Sequence, residues 1–223
     1  ALTPFGPAPA TGSESGDQGP CVPEFTKTVS PTTVTLGDAV TISLHARAEC
    51  PTQVVTHHIV LDLDASTSMI GERSAAVIVA ASSFVRGLDL PDHPEIHVGV
   101  LAFHASAEVL SPLSNDEAQL LAAIARITPR GGTAYDLALA DALRVMRDGR
   151  ASSDDALESI VVLTDGSTAA GCVPVARAAG EIAADGAFLL AIGLGDAYDA
   201  ACLRYVTGGL HNLYGAITPG DLD

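Results

Sequence analysis

The stretch His57 to Met69, reading HHIVLDLDASTSM, constrains this chain more than any other. Its apolar run Ile59-Val60-Leu61, continued by Leu63, has no polar face and predicts a strand covered on both sides, as inside a parallel sheet. The run ends in Asp64-Ala65-Ser66-Thr67-Ser68, which sets a carboxylate and two hydroxyls at alternate positions of the loop leaving the strand. Ligands of open α/β sheets sit at such carboxyl ends. Short oxygen-bearing side chains are hard donors, suited to Mg²⁺, Mn²⁺ or Ca²⁺. D-x-S-x-S is equally ordinary turn and N-cap chemistry, so other stretches must decide between the two.

From His57 onward strands and helices alternate, the pattern of a doubly wound α/β sheet. A helix is predicted over Gly71 to Arg86, with Ala76, Ala80, Phe84 and Leu88 as its apolar stripe and Gly87 as its stop. Ile96 to Phe103 reads as a strand, with a short one around Glu108 to Leu110. Ser114 to Arg126 reads as a helix, Ser114 and Glu117 forming its capping box. A further helix follows Arg130-Gly131-Gly132-Thr133, with Leu139, Ala142, Leu143 and Met146 on one face. Ser159 to Leu163 is the next buried strand, ending in Thr164-Asp165-Gly166. A helix starts at Pro174 and stops by Gly186. Phe188 to Leu194 is a strand, Tyr198 to Val206 a helix, and His211 to Tyr214 a short last strand.

Three of these loops carry matching chemistry. Asp64, Ser66 and Ser68 end the first strand, Gly131-Gly132-Thr133 adds a hydroxyl where glycine permits close backbone approach, and Asp165 ends the strand after the long crossover. If that strand lies beside the first across the switch point of the sheet, both carboxylates face one crevice. Two carboxylates, three hydroxyls and waters can fill most of an octahedron around Mg²⁺. One position then stays open to an anionic oxygen from outside.

In this order, D-x-S-x-S, G-G-T and T-D-G resemble the von Willebrand factor A (vWA) domain, over about His57 to Ala216. The A-I-G-L-G strand and the N-L-Y-G close are similar as well. The resemblance implies a six-stranded, mostly parallel sheet flanked by helices. It implies a metal-ion-dependent adhesion site on Asp64, Ser66, Ser68, Thr133 and Asp165. It further implies Mg²⁺, or Mn²⁺ or Ca²⁺, bound without catalysis, and a protein partner that supplies an Asp or Glu carboxylate. The family's long C-terminal helix has no counterpart in Thr218 to Asp223, so the expected vWA domain, 57–218, lacks it and conformational switching does not carry over. A neighbouring subunit that completes the fold is the alternative partner, the chain then being an assembly subunit whose ion is a brace or vestige.

Ahead of this domain, 1–20 is rich in Pro, Gly, Ser and Thr and reads as an arm or linker, with neither the charged start nor the apolar centre of a signal peptide. In 21–53, short β-rich runs such as Phe25–Val29, Thr33–Leu36 and Ala39–Ala46 are broken by turn signals. The pattern K-T-V-S-P-x-x-V-x-L-G-D-x-V-T-I resembles the first strands of Ig-like modules of bacterial surface proteins, which here would be partial. The cysteines Cys21, Cys50, Cys172 and Cys202 form no C-x-x-C pair. Their even count and bracketing predict disulfides Cys21–Cys50 and Cys172–Cys202 and a secreted or cell-surface location; four reduced thiols in a cytosolic protein are the alternative.

A net charge of −16 over 223 residues argues against nucleic acid or an anionic membrane surface as partner. No apolar run reaches the roughly 20 residues of a membrane span. An enzymatic alternative is a haloacid-dehalogenase-like phosphotransferase, because Asp62-Leu63-Asp64-Ala65-Ser66 resembles its D-x-D-x-T loop. That chemistry needs a lysine, and Lys27 is the only one in the chain. Asp62 instead reads as a hydrogen-bonded or edge carboxylate, and His104 as a solvated loop histidine. His57-His58, at the far end of the first strand, is poorly placed to ligate the ion.

Overall fold

The computed structural model describes residues 22–30, 41–49, 55–150, 156–166, 171–195, 197–209 and 212–216, the first two ranges and residue 216 by backbone alone. The chain divides into two units, Ala1–Gln53 and Val54–Asp223. In the first, β1 (Val22–Ser30) and β2 (Thr41–Glu49) pair antiparallel, from Val22 opposite Glu49 to Ser30 opposite Thr41. Both strands run longer than their sequence pattern suggests. The arm 1–20, the run Thr33–Leu36, both cysteines of the expected Cys21–Cys50 bridge and the C-terminal residues 217–223 lie outside the described residues.

The second unit holds a six-stranded sheet in the order β5-β4-β3-β6-β7-β8. Its strands are β3 (His57–Asp64), β4 (Ile96–Phe103), β5 (Ala107–Ser114), β6 (Leu157–Thr164), β7 (Phe188–Leu194) and β8 (Leu213–Ala216). Only the β4–β5 pair is antiparallel. β5 extends well past the expected Glu108–Leu110 and contains Pro112. It tolerates the missing N–H because it is an edge strand whose register against β4 shifts around Val100.

Helices cover the two faces. On one face lie α1 (Glu72–Gly87) and α2 (Glu117–Ile124); on the other lie α3 (Tyr135–Arg150), α4 (Cys172–Ala184) and α5 (Ala200–Val206). β3 feeds both cores, Val60 packing under α3 and Leu61 and Leu63 under α1. That double burial is what its unbroken apolar run encodes.

Several local expectations shift. In α1 the buried stripe is Val77, Ala81 and Val85, one position on from the expected one, and Phe84 is 41% exposed. The run Ala75–Ala81 is apolar for nearly two turns, so periodicity alone could not choose the inner face. The cap of α2 is Asp116, whose carboxylate accepts from the Gln119 N–H at 3.0 Å, while Ser114 Oγ accepts from the Asp116 N–H at 3.1 Å. α4 starts at Cys172, and Pro174 is tolerated because first-turn N–H groups need no helical partner.

Cys172 and Cys202 form a disulfide that joins the start of α4 to α5, Cα atoms 5.5 Å apart. Closing that loop restricts the unfolded chain by about 3–4 kcal/mol in the loop-entropy argument. The glycines of A-I-G-L-G and N-L-Y-G have a specific role here. A Cβ on Gly193 would stand 2.4 Å from the ring of Tyr198, and one on Gly215 would stand 3.0 Å from its Oη. Tyr198 therefore lies flat across β7 and β8, where only bare backbone leaves room.

Candidate metal centre

β3 pairs directly with β6, and the chain reverses its winding between them, β4 and β5 lying to one side and β7 and β8 to the other. Both acidic strand ends therefore open into one crevice at the switch point. Asp64 and Asp165 are each 1% exposed and Ser66 is 2% exposed, whereas Ser68 sits at the surface.

The side chains are stitched together. Ser68 Oγ donates to Asp165 Oδ1 at 2.6 Å and lies 2.9 Å from Ser66 Oγ, so a hydroxyl chain joins the two loops. The Ser66 N–H donates to Asp64 Oδ1 at 2.7 Å. The third loop is anchored by backbone. Arg130 N–H donates to the Ala65 carbonyl at 2.7 Å, and Thr67 N–H donates to the Gly131 carbonyl at 3.2 Å. Gly131 adopts φ +67°, and a Cβ there would press on Ala105 at 3.3 Å. This loop brings Thr133 Oγ1 to 3.7 Å from the position of a Cβ on Gly166, beside Asp165. Asp64, Ser66, Ser68 and Asp165 are thus linked by direct hydrogen bonds, and the loop of Thr133 lies beside them.

Two further residues belong to this crevice and were not legible. Thr164 Oγ1 donates to Asp64 Oδ2 at 2.6 Å and accepts from the Gly166 N–H at 3.2 Å. Arg73, in the first turn of α1, donates from Nη1 to Asp165 Oδ2 at 2.5 Å. A threonine inside a strand and an arginine on a helix carry no spacing signal of their own. Burial pushes the Asp64 carboxyl up, the donors Ser66 and Thr164 pull it back, and the Asp165 charge adds to the rise. An approaching cation would act the other way and favour its ionised form.

Asp62 corrects the sequence reading. It is fully buried in a central strand, and neither carboxylate oxygen has a hydrogen-bond partner among the described residues. Burial first, then Asp64 and Asp141, drive its carboxyl well above the usual range. His104 is likewise no solvated loop residue. It is half-buried, its carbonyl accepts from the Ala134 N–H at 2.7 Å, and its Nδ1 accepts from the Ser106 N–H at 3.2 Å. It braces the Gly131–Thr133 loop. His57 and His58 lie at the opposite end of β3, as expected.

Among the described residues, no three His, Cys, Asp or Glu side chains gather into a metal cluster. A donor set at this crevice therefore consists of two carboxylates completed by hydroxyls, which is hard-cation chemistry.

A fold with this strand order and this crevice defines the class, and the sequence agrees: the chain belongs to the von Willebrand factor type A domain family, whose profile matches residues 58–214. No curated protein matches the chain in sequence. Among solved structures it is similar to the vWF domain of the type V pilus tip protein Mfa5 from Porphyromonas gingivalis. That match has 16% identity and a TM-score of 0.65, over 77% of this chain and 92% of that one. The pilus adhesin SpaC of Lactobacillus rhamnosus GG matches at 15% identity and TM-score 0.66, over 90% of this chain and 32% of that one. Proximal thread matrix protein 1 of the mussel byssus, solved with a zinc-occupied MIDAS motif, matches at 18% identity and TM-score 0.63, over 75% of this chain and 43% of that one. The chain spans less than half the length of the last two. At such identities these likenesses show the fold alone.

Proposed function

We propose that the chain is a divalent-cation-dependent protein-binding module of a secreted or surface protein. In this reading Asp64, Ser66, Ser68, Thr133 and Asp165 hold Mg²⁺, or Mn²⁺ or Ca²⁺, and an open position on the ion accepts a carboxylate from the partner. The observation that carries it is the hydroxyl chain from Ser66 through Ser68 to Asp165, which makes one oxygen-lined crevice of two separate strand ends. The residues fit a hard ion in type, burial and convergence. When bound, the ion supplies a positive charge that attracts an anionic oxygen; the protein's own part is to hold the donors and turn the crevice outward. The pilus and byssus relatives support adhesion or assembly, and the Cys172–Cys202 disulfide supports an oxidising compartment.

An assembly subunit is the second reading, favoured by an apolar face. On the α1 side of the sheet, Leu157 is 48% exposed, Phe188 60% and Tyr214 55%, and no helix among the described residues covers them. Solution size at increasing concentration separates the readings, because a buried subunit face drives self-association when the chain is alone.

Thermal unfolding of chelator-stripped protein, with and without Mg²⁺, Mn²⁺, Ca²⁺ or Zn²⁺, tests the first reading beside Asp64→Ala. An ion at about 100 times its Kd stabilises the fold by roughly 2.7 kcal/mol. The expected result is a shift that the variant loses. No shift in the unmodified protein refutes metal-dependent binding.

A further inference from the structure

A cavity of about 470 Å³ opens at the opposite end of the sheet, where β3 and β4 begin. His58, His97, Arg144 and Asp148 supply its polar lining, with Leu113 and Val145 among the apolar wall. Nothing in the adhesion-type reading uses it. His58 and His97 are register partners on adjacent strands, so both rings rise from the sheet side by side. The ring centroids are 5.7 Å apart and the planes are nearly perpendicular, at 85°.

Two features make this more than a pair of core histidines. First, His58 is 3% exposed, and the Nδ1 atoms of both rings are buried without a hydrogen-bond partner among the described residues. Buried polar nitrogens without partners are uncommon and call for an explanation. Second, His58 Nδ1 lies 3.8 Å from Glu158 Oε1, and Arg150 holds that carboxylate by Nε at 2.7 Å and also through Nη2. At 3.8 Å that carboxylate stands beyond hydrogen-bond reach and leaves His58 Nδ1 unpartnered.

The spacing also fits. With metal–nitrogen bonds of about 2.0–2.1 Å and roughly 1.1 Å from nitrogen to ring centre, two imidazoles at a tetrahedral angle have centroids about 5.2 Å apart. The observed separation is within half an ångström of that. No third His, Cys, Asp or Glu completes a preformed cluster among the described residues. Asp148, on the rim and 73% exposed, forms a 3.7 Å ion pair with Arg144. Imidazole suits Cu²⁺, Ni²⁺ and Zn²⁺, not the hard cations of the first crevice.

We propose that this cavity is a second metal site, in which His58 and His97 bind a transition-metal ion such as Cu²⁺. The test uses the full chain in saturating Mg²⁺, titrated with Cu²⁺ and followed by electron paramagnetic resonance. The expected result is one equivalent of Cu²⁺ with hyperfine coupling to two imidazole nitrogens, retained in Asp64→Ala. His97→Gln is expected to lose one nitrogen and at least tenfold in affinity while keeping its Mg²⁺ response. A signal with fewer than two nitrogens in the unmodified protein overturns the proposal without recourse to any variant. So does a signal unchanged in His97→Gln, or one abolished by Asp64→Ala, which would place the copper in the first crevice.

Discussion

Gly193→Ala puts a single methyl where the structure has least room. A Cβ on Gly193 meets three atoms of the Tyr198 ring at 2.4–2.5 Å, against ordinary contacts of 3.4–4 Å. The ring must retreat by about 1 Å, and it cannot slide freely, because its hydroxyl end lies over Gly215. Overpacking of this kind costs about 1–3 kcal/mol, offset by about 0.5–1 kcal/mol from removing glycine's extra chain entropy in a strand. The net expectation is a loss of about 1–2 kcal/mol, or roughly 2–8 °C in Tm for a domain of this size. Urea unfolding measures it, and a double-mutant cycle identifies the cause. In a Tyr198→Leu background the ring is gone, and Gly193→Ala is expected to be neutral or stabilising, giving a coupling of about 1–2 kcal/mol. An equal cost in both backgrounds refutes the steric account, and no cost in the parent protein refutes the flat placement of Tyr198.

Two further outcomes follow from charges. Arg73→Gln removes the cation that binds Asp165 Oδ2, and Mg²⁺ affinity measured by calorimetry is expected to rise roughly fivefold, on the order of 1 kcal/mol for an exposed charge; a fall would mean that Arg73 assists the ion. His58 is held below the ordinary imidazole value by burial and by His97, so the unfolded chain takes up this proton first as pH drops. Its contribution is fully present above about pH 6.5 and is lost progressively below it, toward the lowered native value. The stability difference between the parent and His58→Gln, followed by urea titration from pH 7.5 to 5, is expected to shift against the parent as pH falls; a difference independent of pH sinks the assignment.

The sequence shows a site most clearly where burial and chemistry coincide. β3 and β6 are apolar on both faces because both are central, and an acidic residue directly after such a run marks a carboxyl end of the sheet. That is why Asp64 and Asp165 were legible, and pairing of β3 with β6 did the rest. Arg73 and Thr164 were not legible, because each reaches the crevice through a neighbour's carboxylate and matches no spacing of its own. The inner face of α1 was hidden for the opposite reason, an excess of apolar residues that fits more than one stripe. His58 and His97 show the remaining limit. They lie far apart in sequence, and their adjacency depends on the parallel register of β3 and β4, which no local pattern encodes. Chemistry carried by one loop is readable from a chain, whereas chemistry made by register between strands becomes visible only once the sheet is assembled.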